Sequence, residues 1–139
     1  MSESFDLERF VDAQNPVFEQ VLTELRRGRK ESHWIWFVFP QLKSLGRSWM
    51  AQKYGILSRA EAEAYLTHPI LGPRLIECTR LVNLVEGRSL KEILGDIDAV
   101  KFRSSMTLFT QIAGDSSAFA DALRKYFAGQ ADQLTLDRL

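Results

Sequence analysis

Apolar residues recur at three- and four-residue spacing along most of the chain, and helix start and stop signals fall at the ends of these runs. Phe18, Val21, Leu22 and Leu25 share one helical face. Asn15-Pro16 predicts an N-cap with proline at the first helical position, and Gly28 predicts the stop. Ser58-Arg59-Ala60-Glu61 and Ser89-Leu90-Lys91-Glu92 have the spacing of capping boxes, in which each end of the pair satisfies an orphan backbone donor. Pro69 opens a longer run with Leu71, Leu75, Cys78, Leu81, Val82 and Val85 on one side and Gly87 as its stop. A further helix is predicted from Asp96 to Ala113, ended by Gly114. Asp115 or Ser116 would cap the next, which turns Phe119, Leu123, Tyr126 and Phe127 inward and ends at Gly129. A short helix near Phe5 to Ala13 and a turn at Leu134 to Leu139 complete the pattern. No repeat, low-complexity tract or linker divides the chain. The expected fold is mainly α: one domain over residues 1–139, an orthogonal bundle of about six to eight helices.

One segment breaks the pattern. Ser32-His33-Trp34-Ile35-Trp36-Phe37-Val38-Phe39-Pro40-Gln41 is uncharged and packs four rings into six positions. Its aromatic and β-branched residues favour a strand. No second convincing strand exists to pair with it, and a lone strand leaves its backbone unsatisfied. A short buried helix or a compact extended piece is therefore expected, limited by Pro40.

Composition narrows the function classes. A chain of 139 residues with 45% hydrophobic content can bury a core without staples. The single cysteine, Cys78, forms no intramolecular disulfide and no cysteine-based metal site, which fits a reducing cytoplasm. Met1 to Phe10 carries acidic residues and no long apolar run, so no secretory signal is read there, and no stretch is apolar enough to span a bilayer. The net charge is zero, which disfavours nucleic acid as a partner. The charge is unevenly placed, however. Arg26, Arg27, Arg29, Lys30, Lys43, Arg47, Lys53 and Arg59 face only one acid, Glu31, between positions 26 and 59, so this stretch is locally +7.

The aromatic segment lies inside that basic stretch. Its rings read either as a core plug or as the wall of a ligand pocket. Basic groups around rings suit an anionic ligand with a flat base. Arg26, Arg27, Arg29 and Lys30 are also what a helix C-terminus favours, whereas Arg47, between Gly46 and Ser48, is the better candidate for a specific anion contact. On the helix after Asp96, Lys101 and Ser105 fall one turn apart within a face formed by Ile97, Phe102, Met106, Leu108, Phe109 and Ile112. Such a pair reads as a Lys–Ser dyad or anion grip, or as a snorkelling lysine above a small packing residue. His33, among the rings, is the acid–base candidate, while His68 before Pro69 marks a helix start. No metal site, Gly-rich phosphate loop or nucleophile elbow is present, and no cofactor is indicated.

The run at 32–41 resembles the signature of an uncharacterised bacterial family of unknown function, sometimes mislabelled calpastatin. Further stretches are similar to that family: Gly46-Arg47-Ser48 with Ala51 and Tyr54, His68-Pro69-Ile70-Leu71-Gly72-Pro73-Arg74-Leu75, and Lys101-Phe102-Arg103-Ser104-Ser105-Met106-Thr107-Leu108-Phe109. The ending, Tyr126-Phe127 and Asp132 before Thr135-Leu136, is similar too. The resemblance implies a mainly helical single domain and no established activity. The calpastatin label implies a disordered inhibitor, which this composition excludes.

The leading expectation is a protein that binds an anionic, nucleotide-like small molecule; whether it also hydrolyses or transfers part of it is open. Trp34 and Trp36 would wall the site, Arg47 and Lys101 hold the anion, and His33 act as acid or base. Ser32, Gln41, Ser48 and Ser105 would supply polar contacts. Two other classes stay open: a non-enzymatic interaction module docking through exposed rings, and nucleic-acid binding through residues 26–59. A glycosidase of nucleotide derivatives would require a carboxylate beside the rings, and Glu31 is the only acid nearby in sequence.

Overall fold

Each run with helical spacing is helical in the computed structural model, which describes residues 5–139. In chain order the helices are α1 (Glu8–Gln14), α2 (Phe18–Arg27), α3 (Ile35–Val38), α4 (Trp49–Lys53), α5 (Arg59–Thr67), α6 (Leu71–Leu84), α7 (Leu90–Leu94), α8 (Asp96–Ala113), α9 (Ala118–Phe127) and α10 (Gln133–Asp137). A 3-10 turn at Lys43–Leu45 lies between α3 and α4. Six of these helices run seven residues or more, and the other four are one-turn pieces that hydrophobic spacing does not resolve. The result is an all-α single domain. Residues 1–4, part of the stretch read for a signal, lie outside the described residues.

The centre of the molecule is α8. Its residues Phe102, Met106, Leu108 and Phe109 are fully buried, and α3, α5, α7, α9 and α10 pack against it. The other long helix, α6, packs against α2, α5 and α9. Close approach of α6 to α5 depends on Gly72, where an added Cβ would stand 2.0 Å from the Leu66 carbonyl oxygen.

The caps show where local rules prevail and where packing overrides them. Ser89 and Glu92 form the complete capping box. At Ser58 only half forms: its hydroxyl accepts from Glu61 N, but the Glu61 carboxylate accepts instead from Leu57 N and pairs with Arg9. Arg9 also donates to the carbonyls of Asp6, Lys53 and Gly55, tying α1 to the turn before α5. Gly28 ends α2 at φ 71°, donating to Glu24 O and Leu25 O. The expected start of α2 is corrected: Asn15 is the C-cap of α1, and α2 begins after Val17 with no side-chain cap. The start of α9 is likewise corrected, since Ser117, not Asp115 or Ser116, accepts from Ala120 N. His68 does mark a helix start, its Nδ1 accepting from the amides of Ile70 and Leu71.

Candidate functional site

The aromatic segment is held at both ends by buried polar side chains. At its start, Glu24 on α2 is fully buried. Its Oε1 accepts from Glu31 N (2.8 Å), Ser32 N (2.9 Å) and Trp34 Nε1 (3.0 Å). Its Oε2 accepts from the Ser32 hydroxyl (2.6 Å) and Gln20 Nε2 (2.8 Å). Burial alone would raise the Glu24 carboxyl, but the bonds from Ser32, Glu31 and Gln20 outweigh it and hold the group at about 2. Beside it, Lys30 reaches Asp98 on α8 at 2.7 Å, donates to Ser32 O, and lies 4.9 Å from the Trp34 ring centre. At the other end, Gln14 Nε2 donates to Phe37 O (2.7 Å) and to the Tyr65 hydroxyl (3.1 Å).

Between these anchors the single turn of α3 sorts the rings. Trp34, Phe37 and Phe39 are buried, with Phe39 edge-on to Phe102 at 4.9 Å and Phe37 against Tyr54 at 5.2 Å. Trp36 projects the other way and is only half-buried. Three of the four rings are therefore core, and one is surface.

Beyond Pro40, Ile56 N donates to Gln41 O (2.9 Å) and Lys43 N to Ile56 O (2.8 Å), a one-bridge ladder that fixes Gln41. Gln52 on α4 donates to the carbonyls of Lys43 and Gly46, and Ser48 caps α4 by accepting from Ala51 N. Gly46 lies so close to Ala51 that a Cβ would approach that side chain to 2.3 Å. These contacts set the loop carrying Arg47 opposite the exposed edge of α8.

A cavity of about 440 Å³ lies between them, lined by Gln41, Leu45, Arg47, Ser48, Ala51, Ile97, Val100 and Lys101, with Gly46 in its wall. No carboxylate lines it. Among the described residues, neither Arg47 nor Lys101 has an ion-pair partner. Two cations without an ion-pair partner thus line one concave surface, with Ile97 and Val100 as its apolar wall. A narrow cleft behind Lys101 is lined by Trp36, Phe39, Gln41 and Tyr54. On the other side of Ile97 and Lys101 lies a second cavity of about 470 Å³, lined by His33, Trp36, Leu94, Gly95, Asp96 and Asp98 as well as Lys30.

The residues singled out from sequence divide accordingly. Trp36, Gln41, Arg47, Ser48 and Lys101 converge on the first cavity and its cleft, and His33 joins Trp36 and Lys101 in the second. Trp34 lies beneath the surface on Glu24, and the Ser32 hydroxyl is bound to the same carboxylate. Ser105 is fully buried one turn behind Lys101, and its hydroxyl has no hydrogen-bond partner, so the two form no dyad. Sequence reasoning did not single out Asp96, Asp98, Val100, Leu45 or Glu24. Only Glu24 left a signal, as an acid wedged between Val21, Leu22 and Leu25 on the apolar side of α2.

Fold and site together define an all-α protein with paired cavities on either side of one lysine. Residues 4–139 match the family described as "Protein of unknown function (DUF1810)", and the chain belongs to that family. It is similar to the conserved hypothetical protein Rv1873 from Mycobacterium tuberculosis, whose crystal structure has 55% sequence identity and a TM-score of 0.95. That match covers 99% of this chain and 98% of the other. No functionally curated protein matches the chain. No helix among the described residues is long and apolar enough to cross a membrane.

Proposed function

We propose that the protein binds an anionic, nucleotide-like small molecule in the cavity between the 41–48 loop and α8. The observation that carries this reading is the pairing of Arg47 and Lys101 on one concave surface with no acid in its lining. Both cations would hold the anionic group, with Gln41 Nε2 and the Ser48 hydroxyl as further donors. Trp36, at the cleft beside Lys101, offers a face to a flat or ring-shaped portion of the ligand. His33, exposed on the neighbouring cavity, is the group placed to move a proton if the bound molecule is turned over.

Nucleic-acid binding through residues 26–59 fits less well, because the chain as a whole carries no net charge and three of the eight basic residues already have an acid within 4.0 Å. Lys30 pairs with Asp98, Arg29 with Glu31, and Arg59 with Glu63. Docking of a protein partner is favoured by one feature, the exposed Ile97 and Val100 at the cavity rim.

The test is a thermal-shift screen of mono- and dinucleotides and inorganic phosphate against the wild type, Arg47→Ala and Trp36→Ala. A bound ligand raises the midpoint by mass action. Stabilisation by phosphorylated compounds that is lost in Arg47→Ala supports the reading. No stabilisation by any phosphorylated compound sinks it.

A further inference from the structure

The two cavities that meet at Ile97 and Lys101 differ in chemistry. The first has Arg47 and Lys101 and no acid. The second holds two carboxylates, Asp96 and Asp98, with Lys30, His33 and Trp36, and shares Lys101 with the first. They differ in how far their charges are already satisfied. Asp98 is bound to Lys30 at 2.7 Å through one oxygen, with its side chain 20% exposed, while Asp96 is 73% exposed and only loosely paired with Lys91 at 3.6 Å. The Asp96 carboxylate and the second oxygen of Asp98 thus remain able to accept hydrogen bonds from a ligand. Asp98 and Lys101 are three residues apart on α8, so the acidic and cationic positions lie less than one helical turn from each other.

We infer that the second cavity takes the hydroxylated ring of a phosphorylated sugar, stacked on Trp36 with Asp96 and Asp98 accepting from vicinal hydroxyls. This rests on the anion-binding reading of the first cavity and names the class of ligand that site receives: a ribose 5-phosphate unit, free or as part of a ribonucleotide. A single small molecule spanning both cavities must be anionic at one end and rich in donors at the other. Inorganic phosphate satisfies only the first cavity, and an uncharged nucleoside only the second. A phosphorylated ring lacking the vicinal diol gives up one hydrogen bond to a carboxylate, which weakens its binding.

Calorimetric titration tests this with four probes: inorganic phosphate, ribose 5-phosphate, adenosine 5′-monophosphate and its 2′-deoxy analogue, on the wild type, Arg47→Ala and Asp96→Asn. Asp96 is exposed and its ion pair loose, so Asp96→Asn leaves the fold intact. The expected result is that both ribo compounds bind the wild type about tenfold or more tightly than the deoxy compound and phosphate, and that Asp96→Asn removes this preference. Equal affinity for the two ribo compounds makes the sugar phosphate the recognised unit, and tighter binding of the monophosphate extends it to the nucleotide. Equal binding of ribo and deoxy compounds to the wild type, or a preference that survives Asp96→Asn, overturns the inference. If phosphate compounds still bind and Arg47→Ala weakens them, the anion site stands without it. Absence of binding by all four probes overturns both.

Discussion

Glu24→Gln is the most informative single substitution in this protein, because one carboxylate holds the start of the aromatic segment. Five donors converge on it, and glutamine keeps the volume while replacing one acceptor oxygen with an NH₂ that faces donors. Holding the carboxyl at about 2, against an ordinary 4.5, corresponds to about 3 kcal/mol of stability. The sign follows from the direction of the shift. A folded-state value below the unfolded one contributes fully above about 4.5, and the contribution is lost as pH falls through about 2.

Urea unfolding of the wild type and Glu24→Gln at pH 7 is therefore expected to differ by about 3 kcal/mol, with equal slopes. The gap should narrow steadily below pH 4.5, as the Glu24 carboxyl takes up a proton in the unfolded wild type but not in the folded one. Because the other acids are common to both proteins, their titration cancels in the difference. A gap below about 1 kcal/mol at pH 7 would refute the role assigned to Glu24, since even one hydrogen bond to a charged group contributes about that much. So would a gap that stays constant from pH 7 to 2.5.

Other outcomes follow from individual contacts. Gly72→Ala should unfold the protein or cost several kcal/mol by urea unfolding, because the Leu66 carbonyl 2.0 Å from the new Cβ is backbone and cannot swing aside. Ser105→Ala should change the thermal midpoint little and leave nucleotide binding unchanged, since it removes a buried hydroxyl that has no partner; a large loss of binding would restore the Lys–Ser dyad. Cys78 is fully buried and its thiol is pushed up to about 12 by burial, with Glu77 adding to the rise, so a thiol reagent at pH 8 should modify it only as fast as the protein opens. Labelling that outpaces hydrogen exchange of the α6 amides would contradict that.

Helices and the stops at Gly28 and Gly114 were legible from spacing because both are local, whereas the stop expected at Gly87 is corrected: α6 ends at Leu84, with extended Val85 as its C-cap. The limits of that legibility lie at residues whose partners are distant in the chain. Glu61 occupies the last position of a capping-box pattern, yet Arg9, 52 residues away, and Leu57 N take its carboxylate. The four rings of 34–39 carry no label telling core from surface. That division follows from where the single turn of α3 begins, and Glu24 sets this by binding Trp34 Nε1 and the Ser32 amide. Asp96 and Asp98 read from sequence as ordinary acids in the first turn of a helix, favourable to its dipole. Only the packing of α8 against α3 makes them neighbours of His33 and Trp36.

The same division bears on how a site can exist in so small a core. Lys30 and Lys101 both lie close to the aromatic segment, but they are treated differently. Lys30, with its side chain 6% exposed, is compensated by Asp98 and Ser32 O, as a nearly desolvated ammonium must be. Lys101 is half-buried at the junction of two cavities and keeps no such partner among the described residues, and an ammonium open to a cavity can be hydrated by water instead. An anion entering beside Arg47 would displace that water and meet two cations with no internal ion pair to break. Were Lys101 merely snorkelling along α8, Lys101→Met would leave phosphate affinity unchanged. If it holds the anion, the same substitution weakens phosphate compounds by about tenfold and flattens the salt dependence of their binding.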